Sequence, residues 1–124
     1  MTDEELNDII GPMAMQYYTS GPEYAEEEVK SFARSIREAD DNEFVDMTSR
    51  AILESARMGS FRGNFNHLHA MADGAAHEAN RRHQAAGHDK ECRGDNLYNV
   101  ASARAYRSQG HTPRDPVPCS CKES

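Results

Sequence analysis

A chain of 124 residues, 37% apolar and 28% charged, has the size and composition expected of one globular domain, and that composition excludes a disordered polypeptide. No apolar run approaches the length of a membrane span, and the opening MTDEELNDIIG is acidic where a secretory leader is basic. The net charge of −7 is the wrong sign for a domain that grips nucleic acid by general basicity.

The elements predicted in chain order are helices. Thr2 followed by Asp3, Glu4 and Glu5 reads as an N-cap with acids in the first turn, where the helix dipole favours them. The first helix runs from about residue 3 to Tyr18, bent or split at Gly11-Pro12. Ser20-Gly21-Pro22 is a break, with Pro22 suited to a first helical position. The second helix carries Ala25, Val29, Phe32 and Ile36, spaced as one apolar stripe. Asp40-Asp41-Asn42 caps a third helix with Phe44, Met47, Ala51 and Ser55 on one line, which Gly59 ends. The fourth and longest helix is predicted over residues 65–86. Its apolar line is Phe65, Leu68, Ala72, Ala75, Ala76 and Ala79, and the alanines let a neighbouring helix approach closely. Asp95-Asn96 caps a fifth helix over residues 97–108, with Leu97, Val100, Ala101 and Ala105 available to pack.

Prolines at positions 113, 116 and 118 forbid a further helix. The expected fold is therefore all-α: an irregular bundle of four to five helices in a single domain, residues 1–110. An extended Pro-rich, Cys-containing tail, residues 111–124, follows it. With four Phe, five Tyr and no Trp, the core rests mainly on aliphatic side chains and buries less area per residue than an aromatic core. A homo-oligomer or a metal would add the missing stability.

Charge and cysteine are unevenly placed. Residues 1–58 hold fourteen acids and five bases, whereas residues 59–124 hold seven acids, nine bases and all six histidines. The three cysteines, an odd number, point to a reducing, cytoplasmic setting with free thiols or metal ligands. His88 and Cys92 stand four apart, close enough to share a metal on one helical turn. Cys119-Ser120-Cys121 could complete a Cys₃His tetrahedron, with His111 as a substitute ligand. Zn²⁺ is the natural ion for that set, and it would tie back the tail.

Two further constellations carry chemistry. On the fourth helix His69, Asp73, His77 and Asn80 lie along one flank at about 100° per residue. Imidazoles with a carboxylate between them can bind a metal, move protons or hold an anion. Arg81, Arg82, Arg93, Arg104 and Arg107, with Lys90 near them and Tyr98 and Tyr106 interleaved, form a second group suited to phosphates or bases.

Glu23-x-x-Glu26 followed by Glu43-x-x-Asp46 resembles the ExxE…ExxD pattern of the MazG-like nucleoside triphosphate pyrophosphatases, over about residues 22–58. That resemblance implies a small all-α hydrolase holding Mg²⁺ on those acids. The phase of the second helix turns Glu23 and Glu26 away from the stripe Ala25, Val29, Phe32, Ile36. The leading expectation is a non-enzymatic macromolecule-binding module. It would be a small regulator or inhibitor, of a kind common among phage and mobile-element accessory proteins, that docks on a protein partner. A metal-dependent hydrolase, or a binder of a small anionic ligand such as a nucleotide, are the alternatives. Nucleic acid stays open as a partner; a membrane does not.

Overall fold

The computed structural model describes residues 1–20, 23–58, 66–88 and 94–118. Among them the fold is all-α, with no strand. The helices are α1 (Asp3–Thr19), α2 (Glu26–Glu38), α3 (Asp41–Met58), α4 (Asn66–Ala85) and α5 (Leu97–Ser108), with one 3-10 turn, Glu23–Ala25, leading into α2. The 3-10 turn occupies the start predicted for the second helix, and the fifth helix has the predicted ends.

Local sequence sets the helix boundaries. The Thr2 hydroxyl accepts from the Glu5 amide at 3.2 Å, and Asp40 Oδ1 accepts from the Glu43 amide at 2.8 Å. Each side chain satisfies a donor that the first helical turn leaves orphaned. Inside α1, Gly11 takes φ 84° and ψ 164°, and Pro12 follows it. Glycine adopts that left-handed φ at little cost, and proline removes the amide that would continue the ladder. α1 is thus two helical arms joined at a corner, as the Gly-Pro pair implies.

α4 is the hub, packed against α1, α2, α3 and α5. The stripe Ala25, Val29, Phe32 and Ile36 is buried as predicted. Leu6, Ile10, Val29, Ile36 and Phe44 are the large apolar side chains at the centre. The predicted line on α4 proves to be one edge of a wider buried face. Leu68, Ala75 and Ala79 are buried, but so are His67, Ala70, Met71, Gly74 and Glu78, because helices flank α4 on several sides. Phe65 lies outside the described residues. A Cβ built at Gly74 would stand 2.7 Å from Ile10 Cγ2, so the close approach between α1 and α4 uses a glycine as well as alanines. On α5, Ala101 and Ala105 are buried, whereas Val100 turns outward. No described helix is long and apolar enough to cross a membrane.

Candidate functional site

The chain reverses at the end of α5 through a left-handed glycine. Gly110 has φ 83°. Its amide donates to the Arg107 carbonyl at 3.0 Å, and the His111 amide donates to the Tyr106 carbonyl at 2.9 Å. This pattern closes a helix by satisfying its last carbonyls and sends the chain off in a new direction. The next residues hold no regular structure, since prolines at 113, 116 and 118 deny the amides that a helix would need.

One side chain pins this arm back beside α5. Asp95, just before the Asn96 N-cap, receives Arg114 Nη2 on Oδ1 at 2.6 Å and the Val117 amide on Oδ2 at 3.0 Å. Its own amide donates to the Val117 carbonyl at 3.0 Å. Burial pushes the Asp95 carboxyl up, but the hydrogen bonds from Arg114 and Val117 and the Arg114 charge outweigh it and hold the group below its ordinary value.

Between α5 and the arm lies a cleft of about 620 Å³. Val100, Ala103 and Tyr106 form its helical wall, and Pro113 and Pro116 the opposite one. Val100 and Tyr106 are 48% and 50% exposed, so the cleft presents apolar surface to solvent. Arg107 and Arg114 add positive charge, and Asn99, Ser102, His111 and Thr112 add hydrogen-bonding groups. The Tyr106 and His111 rings meet edge to face at 6.4 Å.

The arginine group predicted from sequence is divided by the fold. Arg81 and Arg82 turn inward onto Glu78. Arg81 donates from Nε at 3.0 Å and Nη2 at 2.6 Å, and Arg82 from Nε at 3.2 Å. Arg37 of α2 completes the set at 3.0 Å. Glu78 has no exposed surface. Burial alone would raise its carboxyl; the hydrogen bonds from Arg81 and Arg82, with the Arg37 and Arg81 charges, lower it below the ordinary value. Arg82 also donates to the Ile36 and Ala39 carbonyls at 2.7 and 2.6 Å, pairs with Asp41 at 3.0 Å, and lies over the Phe44 ring at 4.7 Å. It caps the end of α2 and holds the start of α3. Arg104 stands 3.9 Å from Asp46, Arg107 faces the cleft, and Arg93 and Lys90 lie outside the described residues.

The α4 flank is divided as well. His69 Nδ1 lies 3.3 Å from the Ser55 hydroxyl, and its ring is 5.5 Å from Tyr17. Asp73 is raised by burial, with the nearby His69 pulling the other way. Tyr98 of α5 is raised by burial and then by the Asp73 charge. His77 instead packs on the corner of α1, where a Cβ at Gly11 would meet its Nδ1 at 2.6 Å. Asn80 accepts from Asn96 at 2.7 Å.

Of the predicted zinc ligands, His88 stacks on His83 with centroids 3.9 Å apart and planes 5° from parallel. Cys92, Cys119 and Cys121 lie outside the described residues. No three His, Cys, Asp or Glu side chains gather as a metal site among the described residues. Glu23 is exposed in the 3-10 turn, Glu26 at the start of α2 and Glu43 on α3. Asp46 is paired with Arg50 at 2.7 Å.

Sequence reasoning missed Glu78 and the Asp95 clasp. Glu78-x-x-Arg81-Arg82 has the i,i+3 and i,i+4 spacing of intrahelical ion pairs, which is a readable signal. The Asp95 clasp joins residues 19 and 22 positions apart through an arm without periodicity, and no local pattern marks it. No protein-family model matches this chain, nor does any curated protein or solved structure.

Proposed function

We propose that this protein is a non-enzymatic docking module whose binding site is the cleft between α5 and residues 111–118. The carrying observation is the cleft itself: about 620 Å³, floored by exposed Val100 and Tyr106 and flanked by Arg107. Tyrosine and arginine beside a partly desolvated apolar surface are the residues that dominate binding energy at protein interfaces. α5 has a capped start and a closed end, so one wall is preorganised and little entropy is lost on docking. The chemistry favours an apolar segment of a partner protein with acidic residues beside it, since carboxylates match the Arg107 guanidinium.

Crosslinking from α5 followed by mass spectrometry tests this reading. The partner captured by the wild-type chain is expected to be lost from Tyr106→Ala, with affinity falling by about tenfold or more. Tyr106 is half exposed, so the variant should keep its melting temperature. Equal capture by both chains would overturn the assignment.

A small anionic ligand with a flat ring, such as a nucleotide, is the second reading. The specific observation behind it is Tyr106 beside His111 and Arg107 in a cleft of small-molecule size, within the range of roughly 300–1,000 Å³ for such sites. Calorimetric titration with nucleotides separates the two.

A further inference from the structure

We infer that a second copy of this chain can fill the cleft, presenting the outer face of α1 around Met13 and Tyr17, so that copies join head to tail. The inference rests on the cleft being a docking site, as proposed above, and it names the occupant.

Large exposed apolar side chains among the described residues fall into two groups. Val100 and Tyr106, with Val117 of the arm, belong to the cleft region. The other two are Met13, 67% exposed, and Tyr17, 38% exposed. They stand four apart on the second arm of α1, hence on one face. A methionine and a tyrosine side by side are a compact apolar plug of the kind a shallow apolar cleft accepts.

Charge marks the two surfaces as complementary. The first 58 residues hold fourteen acids against five bases. Glu26 and Glu27 are exposed at the start of α2 and act on the hydroxyl of Tyr18, the neighbour of Tyr17 in the chain, so acids stand near the end of α1 that carries Tyr17. The cleft carries Arg107 and Arg114. Arg114 is already matched by Asp95, which leaves Arg107, without an ion pair among the described residues, as the cation for an incoming carboxylate. Opposed fields of this kind steer encounter and fix orientation.

The two faces are distinct and can be used at once. α1 packs on α4 and α2, and α5 packs on α3 and α4; α1 and α5 do not pack side by side. A contact between unlike faces is heterologous, so it repeats from copy to copy and ends in a ring or an open chain. The same contact would supply the burial that an aromatic-poor monomer lacks.

Sedimentation velocity on the full chain tests the inference with two exposed-site variants. Met13→Asp spoils the α1 face, and Tyr106→Asp spoils the cleft. The wild-type chain is expected to grow beyond a dimer with rising concentration, and to shrink toward monomer in high salt, where screening acts within about 3 Å. Each variant alone should stay monomeric with an unchanged helical circular-dichroism spectrum. An equimolar mixture should form a one-to-one dimer and stop there, because one intact α1 face meets one intact cleft and both free ends are blocked. A wild-type chain that stays monomeric at the highest concentration overturns the inference, as does a mixture that stays monomeric or a Met13→Asp chain that dimerises alone. If self-association is absent but Tyr106→Asp loses a foreign partner that the wild type binds, the second-copy occupant fails and the docking function stands. If Tyr106→Asp changes neither, both fail.

Discussion

Nε of Arg37 on α2 lies 3.0 Å from Oε2 of Glu78 on α4, and the carboxylate it reaches has no exposed surface. Glu78 is the centre of a balanced charge cluster. Arg37, Arg81 and Arg82 surround it, and Asp8 and Asp41 meet Arg37 and Arg82 at 3.5 and 3.0 Å. Three cations therefore face three carboxylates where α1, α2, α3 and α4 converge. Isolating one charge in such a place costs far more than the intact set contributes over an apolar substitute.

Glu78→Gln should therefore destabilise the fold while keeping its shape. Three guanidiniums would share a neutral amide. Removing one partner of a buried pair costs about 3–5 kcal/mol, and the partial exposure of Arg37 and Arg81 places the expectation at the lower end. Urea unfolding at neutral pH measures it. A loss under about 1 kcal/mol, the range of surface pairs, would show that the cluster does not tie the helices together.

Acid should act on the same group. The folded Glu78 carboxyl sits below its ordinary value of 4.5, so as pH falls the unfolded chain takes up this proton first. The stability it contributes is fully present above the unfolded value and is lost as pH falls through the depressed folded value. Asp95, also lowered, adds a loss of the same sign. Thermal melts in steps from neutral to acid pH should give a shallower acid decline for Glu78→Gln than for the wild type. Parallel declines would refute the assignment.

Gly74→Ala sets two known effects against each other. Alanine in a helix interior gains about 1 kcal/mol over glycine in propensity. The new methyl would stand 2.7 and 2.8 Å from Ile10 Cγ2 and Cβ, and overpacking of a core costs typically about 1–3 kcal/mol. Ile10 is β-branched and stiff, and only 1% exposed, so it cannot swing aside. Net destabilisation is expected, read as a lower melting temperature; a higher one would mean that α1 yields.

Asp95→Ala should release the arm and leave the bundle intact. The Val117 amide loses its carboxylate acceptor and Arg114 its partner. Hydrogen exchange at Val117 is expected to speed up by about tenfold to a hundredfold, the equivalent of the 1.5–3 kcal/mol of a charged hydrogen bond. Exchange in α4 should not change. The same variant should weaken whatever binds the cleft, because one wall is no longer held.

The sequence by itself determined the helices and their ends. Thr2, Asp40 and Asn96 cap α1, α3 and α5, the Gly11-Pro12 pair makes the corner in α1, and the stripe from Ala25 to Ile36 names the buried face of α2. These are effects of one turn or one helix face, carried by residues within four positions of each other. Tertiary structure decided what those helices present. Arg81 and Arg82, read from sequence as part of an anion-binding group, close on a buried carboxylate that α2 also reaches with Arg37. Val100, legible as core, faces a cleft because residues 111–118 return to Asp95 and leave a gap beside α5. His69, Asp73, His77 and Asn80 share a helix flank yet meet different neighbours. The physical reason is range: helix periodicity fixes the angle at which a side chain leaves its own axis, while the partner it finds there depends on elements twenty or forty residues away.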